Sequence, residues 1–262
     1  MPAFTDQTGV TVTLPAPPQR IVSLVPSQTE LLFDLDLGEM VVGITRFCIH
    51  PENEAQKVTK VGGTKKVHME RLRTLKPDLI IANKEENSKE QIEALRLEFP
   101  TWVSDVVTLE DALSMIRSVG EMTGSPLHLP LIRQIREAFS AITLPDTLRR
   151  AAYFIWKEPY MVAGQNTFIN TMLTAAGLIN VFDDLQRYPQ ITETQLVQAQ
   201  PDVIILSSEP YTFTESDIPP LREHCPDASI VIADATYFSW YGSRLLRAPR
   251  YFDHLMTYLH LK

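Results

Sequence analysis

The sequence predicts an α/β fold with two lobes, each built on a mainly parallel sheet flanked by helices, and a single long rigid helix that bridges them. Three observations predict this fold. An amphipathic helix falls at residues 125–142, near the middle of the 262-residue chain. An αβ segment before this helix is echoed by another after it. Strand and helix patterns alternate along both halves, which indicates parallel strands joined by right-handed crossovers.

The middle helix is recognised by its periodicity. Between Leu131 and Ile142, apolar residues recur at three- and four-residue steps, and charged residues fill the other face. Ser125 can cap this helix, and about 14 to 17 residues at ~1.5 Å each span ~20 to 25 Å, enough to connect two small domains. The chain therefore divides into an N-terminal ligand-binding lobe, a linking helix and a C-terminal ligand-binding lobe, at residues 1–124, 125–145 and 146–262.

The internal echo relates residues 69–82 to residues 193–206. The two segments align on Pro77 and Pro201, with a leucine five residues before each proline and an aspartate directly after it. Each segment predicts a short helix, a Pro-Asp turn and a strand that is apolar on both faces, as in a parallel sheet covered by helices. The symmetric placement of the copies around the middle helix favours a duplicated lobe.

Strands and helices can be assigned to the rest of the chain from the same patterns. Ser27 and Glu30 have the spacing of a capping box at the start of a helix that Gly38 stops. In the first half we predict a hairpin at 5–18, strands at 21–25, 41–44 and 101–104, and helices at 88–99 and 109–122. In the second half we predict strands at 151–156, 181–182 and 230–233, helices at 167–176, 192–200 and 243–259, and loops at 157–166, 210–220 and 236–242.

Composition excludes some classes of protein. The net charge of −8 and pI near 5.3 argue against nucleic acid or an anionic membrane as the principal partner. No run approaches the ~18 apolar residues of a membrane span. The N-terminus lacks a basic segment followed by an apolar core, so we expect no export signal in this sequence. Cys48 and Cys225 fall in different halves and suggest no disulfide framework.

The order of several short motifs resembles a known family, the helical-backbone (class III) substrate-binding proteins of ABC importers, and most closely its vitamin B12 and ferric siderophore receptors. The motifs are RIVSLVPSQTE at 20–30, VGIT at 42–45, VGG at 61–63, KPDLIIA at 76–82 and QPDVII at 200–205. The resemblance implies two lobes bridged by one rigid helix and a small-molecule ligand in the cleft between the lobes. It also implies an ABC permease as partner and a periplasmic or cell-envelope location. Because no signal peptide is visible, a cytoplasmic location stays open. We expect a monomer.

Loops after the strands carry the candidate ligand-binding residues, since ligands of open α/β sheets bind at the carboxyl ends of the strands. Aromatic faces offer contact area and arginines can fork onto carboxylates, so these loops suit a large, partly flat ligand that is held without a covalent cofactor. Cobalamin, haem and ferric siderophores are the ligands that the family resemblance implies. The candidates are Phe47, Lys65, Asn83 and Glu85 in the first lobe, and Trp156, Tyr160, Arg187, Tyr188, Glu209, Tyr211, Trp240, Tyr241 and Arg244 in the second.

The sequence departs from the vitamin B12 receptors at two places. Those receptors have aromatic residues in the loop after Val61 and at the end of the following buried strand, where this chain has Thr64-Lys65-Lys66 and Asn83. The lysines either favour anionic groups, as on a haem, a carboxylated corrinoid or a siderophore, or are simply exposed to solvent. The family also docks on its transporter through one surface glutamate per lobe. Glu70 matches the first of these, and Glu193 lies one residue from the second.

Two alternative functions rest on Cys48 and His50, which share a loop. A thiolate and an imidazole suit zinc or a similar transition metal, so a metal receptor is the alternative within the binding class. For an enzyme, the same pair could serve as nucleophile and base, or Glu85 and Glu209 could form a carboxylate pair across a cleft. The sequence contains no nucleophile elbow, P-loop or dinucleotide fingerprint, and we therefore predict a protein without enzymatic activity.

Overall fold

The computed structural model describes residues 2–260, and the chain forms two compact units. Unit 1 holds the chain up to Ile135 together with Tyr241–Arg244. Unit 2 holds Arg136–Trp240 and the chain from Leu245 onward. Each unit contains a mainly parallel sheet and helices, so the predicted fold class is confirmed.

Unit 1 is built on a five-stranded parallel sheet. Its strand order is β5-β4-β3-β6-β7, and a separate antiparallel hairpin, β1-β2, spans 3–13 and so begins and ends before the hairpin predicted at 5–18. Thr108 and Asp111 form a capping box at the start of the longest helix. In chain order the elements are β1 (Ala3–Thr5), β2 (Thr11–Thr13), β3 (Ile21–Ser23), α1 (Pro26–Asp34), a 3₁₀ helix (Gly38–Met40), β4 (Val41–Ile44), α2 (Glu52–Ala55), β5 (Thr59–Lys60), α3 (Met69–Leu75), β6 (Leu79–Asn83), α4 (Lys89–Arg96), β7 (Thr101–Ser104) and α5 (Leu109–Thr123).

Unit 2 has four parallel strands in the order β10-β8-β11-β12, and β9 pairs with β8 in the antiparallel sense. Thr167 and Thr192 cap the helices α7 and α8. The elements that follow α5 are α6 (His128–Ser140), β8 (Arg149–Trp156), β9 (Met161–Val162), α7 (Phe168–Ala175), β10 (Leu178–Asn180), α8 (Glu193–Ala199), β11 (Val203–Ser207), a 3₁₀ helix (Glu215–Asp217), α9 (Ile218–His224), β12 (Ser229–Ala233), α10 (Thr236–Ser239), a second 3₁₀ helix (Ser243–Leu246) and α11 (Ala248–His260).

The two segments of the internal echo form α3-β6 and α8-β11, and each makes the same pattern of hydrogen bonds. The Asp78 carboxylate accepts the backbone N–H of Arg20 at 2.8 Å, and the Asp202 carboxylate accepts that of Arg150 at 2.7 Å. The side chain of each arginine also donates to the backbone carbonyl of the last residue of the helix before the Pro-Asp turn. These bonds are 2.8 Å for Arg20 and α3, and 2.9 Å for Arg150 and α8. The aspartate of each Pro-Asp turn therefore fixes the start of the neighbouring strand in both units.

The middle helix is α6, which begins later than Ser125. The Ser125 hydroxyl donates to the carbonyl of Leu35 at 2.8 Å, and the helix starts at His128. The His128 ring lies against Gly120, where an added Cβ would come within 2.1 Å of the ring. Gly120 therefore permits the close approach of α5 and α6. The boundary between the two units falls inside α6, after Ile135; its role as a rigid bridge stays a prediction.

The predicted capping box at the start of α1 is wrong. Val25 occupies the N-cap position without a side-chain hydrogen bond, and Pro26 begins the helix. Pro26 suits the first helical position because its missing N–H would have no intrahelical partner there. Ser27 is a buried residue of the first turn, and Glu30 pairs instead with Arg244.

Other differences lie mainly in the second half. Residues 181–182 are not a strand, because β10 starts directly after Gly177 and ends at Asn180. The predicted loop 210–220 contains a 3₁₀ helix and the start of α9, in which Pro219 and Pro220 occupy the first turn. The loops predicted at 157–166 and 236–242 contain β9 and α10. The predicted terminal helix is interrupted because Pro249 suits the first turn of α11 but not the interior of a longer helix.

Apolar side chains from both faces of each sheet form the cores. Val22, Ile80 and Val103 are buried in unit 1, and Phe154, Ile204 and Leu206 are buried in unit 2. Across residues 2–260, no helix has the combination of length and apolar character that crossing a bilayer requires.

Candidate ligand-binding faces

The carboxyl ends of the parallel strands define one candidate face in each unit. We call residues 45–50, 62–67 and 83–87 of unit 1 the first face, because they follow or flank β4, β5 and β6. We call residues 156–160, 208–213 and 234–240 of unit 2 the second face, because they follow β8, β11 and β12. Most sequence-predicted site residues fall on these two faces.

A rigid loop presents two apolar side chains on the first face. Phe47 and Ile49 are 48% and 60% exposed, whereas Cys48 between them is fully buried. The Cys48 Sγ lies 3.1 Å from the Thr29 hydroxyl and 3.2 Å from that of Thr45. The buried thiol thus anchors the loop while its neighbours face outward.

The environment of Cys48 does not favour the metal or nucleophile alternatives. Burial raises the pKa of the Cys48 thiol, and hydrogen bonds with Thr29 and Thr45 offset this only in part. A thiolate, which metal binding and nucleophilic attack both need, is therefore disfavoured. Among the described residues, no group of three or more His, Cys, Asp or Glu side chains is placed to hold a metal ion.

Asn83 has a structural position at the end of β6. Its side-chain N–H donates to the Ser104 carbonyl at 3.1 Å, and its carbonyl oxygen accepts the backbone N–H groups of Glu85 and Glu86 at 2.8 and 3.1 Å. The Asn87 amide extends this network to the Thr64 carbonyl at 2.7 Å. The asparagine at this position therefore organises the loop that carries Glu85 and ties it to the 62–67 loop.

The 62–67 loop places two lysines at the first face. Gly62 has φ +134°, and an added Cβ would lie 2.5 Å from the Lys66 carbonyl, so only glycine fits this tight return. The Lys65 ammonium donates to the Glu85 carbonyl at 2.5 Å. Lys65 and Lys66 are both exposed. The loop thus carries positive charge close to the end of β6.

Positive charge on the first face is only partly neutralised. The Lys84 ammonium lies 2.5 Å from an Asp105 carboxylate oxygen. The Arg46 guanidinium lies over the Phe47 ring, 4.8 Å from its centroid. Within residues 2–260, the ion pairs do not include Arg46, Lys65 or Lys66. The face therefore offers three cations and an exposed aromatic ring to a ligand.

An aromatic cluster dominates the second face. Trp156, the last residue of β8, is 40% exposed and contacts the Tyr211 ring edge-on at 5.6 Å between centroids. Tyr211 packs on Phe213 at 4.7 Å, and Tyr160 packs on the buried Phe154 at 5.3 Å. The exposed rings thus pack on buried aromatic side chains, which limits the side-chain entropy that is lost when a ligand binds.

A partly buried ion pair stabilises the loop after Trp156, since the side chains of Lys157 and Asp217 are 25% and 6% exposed. The Lys157 ammonium lies 2.7 Å from an Asp217 carboxylate oxygen. Burial would raise the pKa of Asp217, but hydrogen bonds from Lys157 and Thr214 lower it overall. The charge of Lys157 is therefore committed to Asp217.

The side chains of Glu209 and Trp240 are hydrogen-bonded to one another on the second face. The Glu209 carboxylate accepts the indole N–H of Trp240 at 2.7 Å and the hydroxyl of Ser239 at 3.2 Å. Trp240 is only 6% exposed. Close by, burial first and then the charge of Glu209 raise the pKa of the buried Tyr153. Glu209 thus holds the Trp240 ring in one orientation.

Arg187 and Tyr188 lie on a separate loop of unit 2. Arg187 donates to the Asn166 carbonyl at 2.7 Å, and its guanidinium lies 5.8 Å from the centroid of the Tyr188 ring. Its backbone also pairs with Gly164 and Gln165, so the arginine is held at φ +60° by this ladder.

Tyr241 and Arg244 belong to unit 1, although their sequence position suggested the second lobe. The Arg244 guanidinium binds the Glu30 carboxylate through two bonds, at 2.6 and 2.9 Å, and both side chains are about one-tenth exposed. Gly242 approaches the carbonyl of Ser27, which an added Cβ would meet at 2.7 Å. The segment is therefore packed on α1, and Arg244 has a carboxylate partner inside the protein.

The two predicted docking glutamates lie in the first turns of equivalent helices. Glu70 of α3 is exposed and pairs with Arg73, which also binds Glu98. Glu193 of α8 lies 3.2 Å from the His224 ring. Both carboxylates are therefore exposed at the same end of their helix, in the same kind of αβ unit.

Sequence reasoning missed Arg46 and Ile49 as members of the first face. Arg46 directly precedes the predicted Phe47, and its guanidinium stacks on that ring. Ile49 lies in the loop that Cys48 and His50 share and was not chosen as a candidate. Residues 46–47 form a turn rather than an extended segment, so no side-chain alternation in the sequence indicated that Ile49 is exposed.

Two parallel-sheet units, each with exposed aromatic side chains at or near the strand ends, are typical of a ligand-binding protein of the α/β class. The sequence profile of the periplasmic binding protein family matches residues 21–220. The chain belongs to this family. It is a class III ABC substrate-binding protein of the vitamin B12, haem and siderophore type, and a binding protein rather than an enzyme. The family implies a small-molecule ligand and a permease partner.

Named relatives support this assignment. The chain is 26% identical over 261 residues to the vitamin B12-binding protein of Pectobacterium carotovorum, covering 92% of this chain and 90% of that protein. The fold matches the periplasmic vitamin B12-binding protein BtuF of Vibrio cholerae with a TM-score of 0.76 at 23% identity, covering 94% and 98% of the two chains. It matches the periplasmic haem-binding protein RhuT of Roseiflexus sp. RS-1 with a TM-score of 0.77 at 24% identity, covering 92% and 98%.

Proposed function

We propose that this chain is the solute-binding component of an ABC importer and that its solute is an iron chelate with anionic groups, of which haem is the first candidate. The observation that carries the proposal is the first face, where the Arg46 guanidinium lies over the exposed Phe47 ring and the 62–67 loop carries Lys65 and Lys66. In the described part of the chain, these three cations are not among the ion pairs. Carboxylates of a ligand would find charge-assisted hydrogen bonds there.

The second face supports a flat ligand. Trp156 and Tyr211 offer rings that are already held by their neighbours, so apolar contact costs little ordering entropy. Tyr160, Glu209 and Trp240 are proposed to support this surface from below. Arg187 and Tyr188 are proposed as a further contact for an anionic group.

A corrinoid is the second candidate solute. The similarity to a vitamin B12-binding protein over most of the chain favours it. The aromatic residues expected of that receptor are replaced on the first face by Thr64, two lysines and Asn83, and Asn83 is committed to the loop network. The chemistry of the first face thus ranks an anionic chelate above cobalamin.

Tryptophan fluorescence titration of the full chain tests the ligand class. Haem, a ferric siderophore, cobalamin and Zn²⁺ are added separately, and calorimetry measures the stoichiometry of any hit. We expect saturable quenching by haem or the siderophore at one site per chain. Saturation by cobalamin alone would establish the second candidate, and a response to Zn²⁺ alone would favour the metal alternative.

Variants of the first face test the charge argument. The double variant Lys65→Gln/Lys66→Gln should weaken binding of the anionic ligand about two- to thirty-fold, since each exposed pair contributes about 0.2–1 kcal/mol. Lys84→Gln is the matched control, because Asp105 already neutralises that ammonium. Equal losses in both variants would contradict the proposed role of Lys65 and Lys66.

We propose that Glu70 and Glu193 face the permease and that the protein works in the periplasm or at the cell envelope as a monomer. Glu70→Ala should leave solute affinity unchanged and reduce uptake in cells that carry the cognate importer. Glu90→Ala is a control for an equivalent charge in the first turn of another helix, α4. Equal uptake by the wild type and Glu70→Ala would remove this residue from the docking surface.

A further inference from the structure

A cavity of about 560 Å³ opens in unit 1, away from the first face. Its wall includes Val41 and Thr59, the first residues of β4 and β5. Because these strands are parallel, the cavity lies at the amino edge of the sheet, and the first face follows the carboxyl edge. The four residues of β4 separate the two edges by about 10 Å at ~3.3 Å per residue.

The floor of this cavity is apolar. Phe33, Val42 and Val58 contribute half-buried side chains to it. Gly38 permits the position of the Phe33 ring, because an added Cβ would lie 2.7 Å from the ring Cδ1. Backbone hydrogen bonds hold the surrounding turns, including the bond from Asp36 N–H to the Phe33 carbonyl at 3.0 Å. The cavity is therefore preformed.

The rim of the cavity carries an excess of negative charge. Asp36, Glu39 and Glu54 are exposed carboxylates at the rim, and Lys57 is the single ammonium there. In the part of the chain that the structure describes, none of these four side chains forms an ion pair. The rim thus has a formal charge of −2, three negative groups against one positive.

We propose that this cavity binds a small organic cation with an apolar body. The ammonium group would lie among the carboxylates of the rim, and the hydrocarbon would cover Phe33, Val42 and Val58. The volume falls in the ~300–1,000 Å³ range of sites for drug-sized ligands. A bare metal ion fits less well, because Mg²⁺ and Ca²⁺ require several oxygen ligands at short range and the floor offers none.

Three probes that share one hydrocarbon body test the proposal on the full chain. They are 4-phenylbutylammonium, 4-phenylbutan-1-ol and 5-phenylpentanoate, and binding is followed through the ¹³C methyl resonances of valine. We expect saturable shifts of the Val42 and Val58 methyl groups with the ammonium probe, weaker binding of the alcohol and none of the carboxylate. Added salt should weaken binding of the ammonium probe only, because it screens the attraction between the ammonium and the rim carboxylates.

Three variants separate the contribution of charge to probe affinity from the contribution of shape. Glu39→Gln/Glu54→Gln should weaken binding of the ammonium probe about two- to thirty-fold, and Lys57→Gln should strengthen it up to about five-fold, since each exposed pair contributes roughly 0.2–1 kcal/mol. Val58→Phe fills the cavity and should weaken the ammonium and alcohol probes alike. Lys89→Gln at the start of α4 is the control and should change the affinity of neither probe.

Equal affinity for all three probes would overturn the proposal, because charge would then play no part. Unchanged ammonium affinity in both the glutamine double variant and Val58→Phe would overturn it as well. So would methyl shifts confined to Val162 of unit 2. Since the probes carry no iron and the readout is local to Val42 and Val58, failure here would leave the proposed solute-binding role untouched.

Discussion

Replacing Arg244 with leucine removes the guanidinium that neutralises a buried carboxylate. Arg244 binds Glu30 through two bonds at 2.6 and 2.9 Å, and both side chains are about one-tenth exposed. Breaking a buried pair by removing one partner typically costs about 3–5 kcal/mol, because the other charge stays desolvated without compensation. We expect a loss of this size from the free energy of unfolding of unit 1. Replacing both residues, as in Glu30→Leu/Arg244→Leu, should recover most of it.

A surface pair of the same geometry supplies the control. Arg73 binds Glu98 through two bonds at 2.7 and 2.8 Å but is exposed, so Arg73→Leu should change stability far less. The assay is urea unfolding in a Trp156→Phe/Trp240→Phe background. The buried Trp102 of unit 1 is then the one remaining tryptophan of the three in the sequence. Equal losses in Arg244→Leu and Arg73→Leu would refute the argument from burial.

Three further predictions concern groups inside the units. Burial raises the pKa of the Cys48 and Cys225 thiols, so native protein at pH 8 should react slowly with Ellman's reagent, whereas denatured protein should react at two thiols per chain. A rapid reaction of the native protein would contradict this. Because the folded state holds the two thiol protons more tightly, the free energy of unfolding should decline as pH rises above about 8.5, the pKa of a cysteine thiol in the unfolded chain. Asn83→Ala should lower the free energy of unfolding in urea by about 1–3 kcal/mol, and no loss would rule out the loop network as a stabilising feature. Because the pKa of Asp217 is lower in the folded chain, its carboxylate stabilises unit 2 above about pH 3.9, the pKa in the unfolded chain, and this contribution is lost on acidification. Lys157→Met should therefore move acid unfolding, followed by circular dichroism, to higher pH.

The parallel-sheet units could be predicted because their signals are local. The Pro-Asp turns appear in the sequence twice, and the structure gives both the same hydrogen bonds through Asp78 and Asp202. The strand at 41–44 was predicted to the residue, since the short apolar run Val-Val-Gly-Ile has few alternatives.

Contacts between distant parts of the chain could not be predicted. Glu30 and Ser27 have the spacing of a capping box, but Glu30 pairs with a guanidinium 214 positions away. The same limit applies to the candidate site. Asn83 and Arg244 were chosen as ligand contacts because of their residue types, yet each has protein partners that only the fold brings within reach.

Exposed aromatic residues at strand ends were easier to identify. Trp156 is the last residue of β8, and Phe47 and the half-buried Tyr211 lie a few residues after β4 and β11. Aromatic residues at these positions lie near the carboxyl ends of parallel strands, where ligands of open α/β sheets bind. Sequence could not reveal the cavity beneath Gly38, because its wall combines α1, α2 and the starts of two strands.

The contribution of Tyr241–Arg244 to unit 1 affects the order in which the protein can mature on the ribosome. Most of unit 1 has been synthesised once Ile135 is added, but the partner of Glu30 comes 109 residues later. At ~5–20 residues per second, this interval lasts about 5–20 s. During that time the nascent unit 1 has a carboxylate in α1 that lacks its guanidinium partner. The N-terminal unit therefore reaches its final stability only when nearly the whole chain has been translated, and N-terminal fragments should be poor substitutes for it.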